Sequence, residues 1–297
     1  MNQKRRIISK KFGKGLKMAE CSSECGSCSE AGSCDLKLKN RMSSIKHKIM
    51  VLSGKGGVGK SSVAVNLAVA LSMDGFDVGL LDIDFHGPSV PTMLGLQKKT
   101  LETDATSVIP AEIHGMKVVS ISLLLPQNKE DAIIWRGPMK AGVLKQLLED
   151  VHWGDLDYLI MDFPPGTGDE ALSACQLVSD ADGGIIVTTP QEVSLSDCRR
   201  CISFCRQLEL PVLGVLENMS GFVCPDCEKV IDLFGTGGGE KMAEQSSVPF
   251  LGRIPLDPDL TAACDSGKPF IYHSHEKPAA KAFSRAVASL IEQTQKN

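Results

Sequence analysis

Residues 49–73 read Ile-Met-Val-Leu-Ser-Gly-Lys-Gly-Gly-Val-Gly-Lys-Ser-Ser-Val-Ala-Val-Asn-Leu-Ala-Val-Ala-Leu-Ser-Met. Ile49–Leu52 is an apolar run of strand length, Gly54–Ser61 a glycine-rich loop, and Ser62–Met73 a helical stretch. Gly54-Lys55-Gly56-Gly57-Val58-Gly59-Lys60-Ser61 fits the Walker A pattern, and it does so in the strand–loop–helix context that gives the pattern meaning. Glycines let backbone N–H groups curl around a phosphate, and the following helix adds its positive end. The expectation is nucleotide binding, with Lys60 on the β- and γ-oxygens and the Ser61 hydroxyl on Mg²⁺.

Working outward, Val78–Leu81, Val118–Ile121, Tyr158–Met161, Ile185–Val187, Val212–Leu216 and Phe250–Leu251 repeat the short apolar run, with helical stretches between. Continuous apolar strands alternating with helices predict an α/β fold: one doubly wound, mainly parallel sheet with helices on both faces, over residues 45–297. Pro278–Asn297 reads as a closing helix with Ala282, Phe283, Ala286, Val287, Leu290 and Ile291 on one face. Such sheets bind ligands beyond the carboxyl ends of their strands. Acids stand at those ends: Asp82 and Asp84 after Leu81, and Asp162 after Met161, followed by Phe163-Pro164-Pro165-Gly166-Thr167-Gly168-Asp169. Carboxylates facing a phosphate loop suit a metal shell and an attacking water.

The chain has 297 residues, 42% hydrophobic and 23% charged, which is ordinary for a folded protein. No apolar run approaches the roughly 18 residues of a membrane span. Residues 1–17 hold seven basic side chains and no acid; the rest holds 25 basic against 36 acidic residues. An acidic body argues against broad contact with nucleic acid. The basic tail reads as a disordered arm, as an extension upstream of a start at Met18, or as a transit peptide. With no apolar core for secretion, the expected location is the cytoplasm, and neither membrane nor nucleic acid is expected as a partner.

Eleven cysteines in such a chain point to metal or redox chemistry rather than a disulfide framework. Cys21, Cys25, Cys28 and Cys34 lie in a polar run that cannot build a core, so residues 1–44 are expected to be a metal-binding appendage. Cys224-Pro225-Asp226-Cys227 could be a redox pair, half a zinc site or half an iron–sulfur site. Cys198, Cys201 and Cys205 share one helical face and read as small hydrophobes, as do Cys175 and Cys264. The six histidines form no His-x-x-His or triad arrangement.

The extra lysine of the loop, Lys55, makes Gly54–Ser61 resemble the deviant Walker A of the MinD, ParA and nitrogenase iron protein class. That resemblance implies a homodimer in which Lys55 reaches the partner's nucleotide and acts like an arginine finger. It also implies that Asp82 and Asp162 support Mg²⁺ and that Asp84 orients the water. With a dimer implied, two Cys224–Cys227 pairs at its axis would supply four thiolates to a bridging [4Fe–4S] cluster. Gly87-Pro88-Ser89, Pro190–Asp197, Asn218-Met219-Ser220, Phe234–Gly239 and Pro249–Pro255 resemble the Mrp family of iron–sulfur cluster carrier ATPases. This implies an adenine contact from Asn218, ATP as the nucleotide, and transfer of clusters to apo iron–sulfur proteins. Cys25, Cys28 and Cys34 match the Cys-x2-Cys-x5-Cys of that family's cytosolic scaffold branch; Cys21, four residues upstream, departs from its pattern. A second cluster is expected there, with zinc or an unliganded tail as the alternatives. A positioning ATPase of the MinD or ParA kind and an iron–sulfur reductase are the competing functions.

Overall fold

The computed structural model describes residues 31–104, 107–124, 137–224, 227 and 229–295, with the side chains of 31–35, 137 and 138 left aside. In chain order the elements are α1 (Ala31–Met42), β1 (Ile45–Ser53), α2 (Lys60–Met73), β2 (Val78–Asp82), α3 (Val90–Met93), β3 (Glu102–Thr103), β4 (Val108–Ile109), β5 (Ala111–Ile113), β6 (Met116–Ser120), α4 (Ile121–Leu124), α5 (Gly137–Glu149) and β7 (Leu156–Asp162). They continue with α6 (Asp169–Leu177), β8 (Gly183–Thr188), α7 (Glu192–Gln207), β9 (Val212–Glu217), β10 (Phe222–Val223), β11 (Val230–Ile231), α8 (Gly238–Gln245), β12 (Phe250–Arg253), α9 (Pro258–Ser266), α10 (Phe270–His273) and α11 (Pro278–Thr294).

Eight strands form the central sheet in the order β12-β9-β8-β1-β7-β2-β6-β5. All neighbours run parallel except β5, which pairs antiparallel with β6 at the edge. Each apolar run in the sequence falls on one of these strands, with Val118–Ile121 passing one residue beyond β6 into α4; the short β5 gave no such signal. Every residue of β2 and β8 is buried, as a sheet covered on both faces requires. Helix α2 carries no charge beyond Lys60 and buries residues around its whole circumference, so it runs through the core. The apolar face of α11 is buried as well, with Phe283, Ala286, Val287 and Leu290 all inaccessible, and it packs on α2 and β12.

Within the stretch 1–44 expected to be an appendage, helix α1 packs on the folded body from Lys37 onward. Leu38 and Met42 of α1 enter the core, Lys37 Nζ pairs with Asp150 at 2.7 Å, and Arg41 Nε donates to the Glu149 carbonyl at 3.3 Å. The buried ammonium of Lys48 donates to the carbonyls of Ile45 at 2.8 Å and Met42 at 3.4 Å, closing the end of the helix. Two apolar side chains one turn apart are enough to dock a helix that is capped this way, yet too few to register as periodicity. Cys21, Cys25 and Cys28 lie outside the described residues, as does the Cys34 side chain.

Candidate nucleotide site and cysteine ribbon

The loop Gly54–Ser61 leaves the carboxyl end of β1, between β8 and β7. Gly59 ends the loop at φ +79°, a left-handed turn that lets α2 start at Lys60. Any side chain there would strike the Asn218 amide, which lies 2.3 Å from where a Cβ would stand. That amide donates to the Val58 carbonyl at 2.9 Å, so the loop is held from the end of β9. Above Gly56 and Gly57 the space is open, leaving a cradle of backbone N–H groups.

Register puts the two strand-end acids side by side: Asp82 of β2 is the partner of Asp162 of β7, both fully buried. Lys60, also buried, forms an ion pair with Asp162 Oδ1 and reaches the Ser61 hydroxyl at 3.3 Å. Asp82 accepts from Ser120 Oγ at 3.0 Å and from the Asp84 N–H at 3.1 Å. Burial, with the neighbouring Asp162, pushes the Asp82 carboxyl up to about 8, and burial likewise raises Asp162 against the pull of Lys60. Two carboxylates and one cation in a dry site are short of positive charge, and Asp162 Oδ2 is buried with no hydrogen-bond partner. With Ser61, this all-oxygen donor set fits a hard divalent cation.

Asp84 follows two residues after Asp82. Its Oδ1 accepts from the backbone of His86 at 3.0 Å and Gly87 at 3.2 Å, which shapes the turn at one wall of a cavity of about 970 Å³. Lys140 of α5 and Glu170 of α6 form a largely buried ion pair in the same cavity, with His86 Nε2 3.1 Å from Glu170 Oε1. Lys55 is half-buried, and no carboxylate among the described residues pairs with it.

After β9, β10 and β11 pair antiparallel as a two-stranded ribbon, Phe222 opposite Ile231 and Val223 opposite Val230. Cys224 closes it, its N–H donating to the Lys229 carbonyl at 3.0 Å. Cys224 is half-buried and Cys227 exposed, with neither in a disulfide. Val230, Ile231, Leu233 and Phe234 around them are exposed. Among the described residues, no group of three or more His, Cys, Asp or Glu side chains is gathered to hold a metal. The structure therefore brings Lys60, Ser61, Asp82, Asp162 and Asn218 together around the loop, and sets Cys224 and Cys227 apart on the ribbon.

Cys198, Cys201 and Cys205 are buried on α7 beneath the sheet, and burial pushes the Cys198 thiol up. Burial does the same for Cys175, to about 12, which suits packing rather than chemistry. Sequence reasoning missed Ser120, Lys140, Glu170 and Glu217. Ser120 and Glu217 each end a buried strand, the position that had singled out Asp82 and Asp162, so that signal was present. Lys140 and Glu170 are brought together only by the packing of α5 against α6.

This arrangement defines a nucleotide-binding α/β protein of the phosphate-loop class. The family model described as ParA, NUBPL iron-transfer P-loop NTPase, matches residues 44–291, and the chain belongs to that family. A relative from Methanocaldococcus jannaschii, named iron-sulfur cluster carrier protein, is 47% identical over 289 residues, covering 94% of this chain and 99% of the relative. One of the same name from Saccharolobus solfataricus is 49% identical over 264 residues, 89% of each chain. Among solved structures, the nucleotide-binding protein of Archaeoglobus fulgidus in complex with ADP has a TM-score of 0.72 at 37% identity, covering 84% of this chain and 96% of that one. The cell division ATPase MinD of Pyrococcus furiosus, at 22% identity and a TM-score of 0.59, covers 83% of this chain and 98% of its own, and shares the fold. No helix among the described residues is long and apolar enough to cross a membrane.

Proposed function

We propose that this chain is a homodimeric ATPase that carries a [4Fe–4S] cluster as cargo and hands it to apo iron–sulfur proteins. The observation that carries the reading is the ribbon, which carries two cysteines a CxxC spacing apart, Cys224 half-buried and Cys227 exposed, neither in a disulfide. Soft thiolates are the ligands of iron–sulfur clusters, and two ribbons meeting on a twofold axis supply four. The relatives named iron-sulfur cluster carrier proteins support the same cargo.

On the nucleotide side, Gly54–Ser61 holds the β-phosphate of ATP and Lys60 its β- and γ-oxygens. Asn218 takes the adenine. Ser61, Asp82 and Asp162 hold Mg²⁺, which when bound supplies the positive charge that this acidic pair lacks. Asp84 orients the attacking water, its second oxygen left for that task by a turn that uses only Oδ1. Lys55 reaches the partner's nucleotide, consistent with its having no acidic partner in its own chain among the described residues. Cys21, Cys25, Cys28 and Cys34 hold a second cluster, and the protein works in the cytoplasm, where thiols stay reduced. A membrane positioner needs a free amphipathic helix, whereas α11 has buried its apolar face.

The test is to replace Cys224 and Cys227 by serine in a background whose four N-terminal cysteines are also serine. After anaerobic reconstitution, the chain with an intact ribbon should hold about four iron atoms per dimer and activate an apo iron–sulfur enzyme. The serine ribbon should hold essentially none. Equal iron and equal transfer in the two would remove the cargo from this motif.

A further inference from the structure

Glu217, the last residue of β9, is fully buried. Its carboxylate lies among donors from three segments: Ser220 Oγ at 2.5 Å, the Gly237 N–H at 2.8 Å and the Gly239 N–H, with Arg253 Nε 3.7 Å away. The amides belong to the amino-terminal end of α8, so a place that would ordinarily take a free anion is filled by a side chain of the same protein. Gly239 has no room for a Cβ, which would stand 2.9 Å from Glu217 Oε2.

What makes this more than a helix cap is its neighbours. The next residue, Asn218, bonds Val58 of the phosphate loop, and the Met219 methyl lies 3.5 Å from where a Gly59 Cβ would stand. Met219 itself takes φ +56°, unusual for a residue with a side chain, and this bend turns Ser220 back onto Glu217. Ser220 enters the cysteine ribbon, and Gly237 closes the segment that follows it. Both ends of the stretch 220–237, with Cys224 and Cys227 inside, are thus tied to one carboxylate adjacent to the residue that touches the phosphate loop.

We infer that Glu217 is a positioning residue through which occupancy of the phosphate loop governs how the cysteine ribbon holds its cargo. The inference rests on the nucleotide-dependent carrier proposed above. A shift of Val58 and Gly59 on nucleotide binding reaches Asn218, and the rigid peptide to Glu217 passes it to Ser220, Gly237 and Gly239. Glu217→Gln keeps the shape but presents an NH₂ group to backbone N–H donors, which breaks half of the hub.

The measurement uses the full chain with its four N-terminal cysteines as serine, reconstituted anaerobically with iron and sulfide. Capture of iron by a chelator is timed with and without MgATP. In the intact hub, MgATP should change the release rate by about fivefold or more. In Glu217→Gln that ratio should fall to within about twofold of one, with iron content and ATP affinity within about twofold of the parent. Ser220→Ala, which cuts only the ribbon side, should reduce the ratio in the same direction while leaving ATP affinity alone. A full nucleotide response in both variants overturns the inference. So does a loss of iron, ATP binding and melting temperature together in both, which is the signature of a structural cap. No nucleotide response in the parent would instead overturn the carrier proposal, and this inference with it.

Discussion

The phosphate loop and the cysteine ribbon both follow strands of one sheet, yet they are built in opposite ways. Around the loop, charges are buried and matched by register: Asp82 beside Asp162, with Lys60 between loop and strand. The ribbon has strands of two residues, exposed apolar side chains and an exposed thiol. The first region holds its geometry in a single chain, because moving Lys60 leaves Asp162 an unpaired buried charge. The second is tied at its two ends, through Ser220 and Gly237 on Glu217, and exposes apolar side chains between them. A binding site that is to open and release cargo belongs at the low-stability end of a fold, and one that must recognise a phosphate belongs at the rigid end.

Substitutions at the two ends sharpen that contrast. The largest effect is expected at Lys55: Lys55→Ala should lower ATP turnover roughly 10³-fold while sparing nucleotide affinity, as for a cation supplied across an interface. Mixing it with Asp84→Ala chains should restore part of the activity in a steady-state assay, since one intact composite site can form. Full turnover by Lys55→Ala alone would break the shared-site assignment.

Lys60→Ala comes next. It strands Asp162 in the core, so besides losing ATP binding by calorimetry it should cost about 3 kcal/mol in denaturant unfolding of the nucleotide-free chain. An unchanged midpoint would mean that the ion pair is not what keeps this region rigid.

Asp82→Asn should act in the other direction on stability. A carboxyl whose folded pKa is raised stabilises fully below the ordinary carboxylate range, and that contribution is lost as pH rises toward about 8. Removing the charge should therefore raise the melting temperature of the nucleotide-free chain by about 3 °C near pH 8, and not near pH 4. Mg²⁺-dependent nucleotide binding should fall in the same variant. A lower melting temperature at pH 8 would contradict the account of a dry, charge-poor site.

The smallest shift is expected at the ribbon. Cys224→Ser with Cys227→Ser should leave the stability of the metal-free chain within about 0.5 kcal/mol, as for surface substitutions. A larger loss would show that the ribbon is part of the rigid core after all.

What could be read in advance divides along the same line. The seven apolar runs located seven of the sheet's strands, and the glycine loop with its strand-end acids located the pocket, because local sequence carries both signals. The antiparallel β5, three residues long, carried none. Helix α1 was missed because its docking depends on Leu38, Met42 and the distant Asp150 and Glu149. The Phe234–Gly239 glycines stood out as a motif without a reason; the reason is a carboxylate some twenty residues upstream.

By itself, then, the sequence determined the strand–loop–helix unit, the parallel sheet and the two kinds of cysteine, since hydrophobic run length and backbone freedom are local properties. Only the tertiary structure decided which acid stands beside which, because Asp82 and Asp162 are eighty residues apart until β2 and β7 pair in register. It alone also decided that Glu217 faces the amides of α8. A buried carboxylate must find donors wherever the fold puts them, and no spacing in the chain announces where that will be.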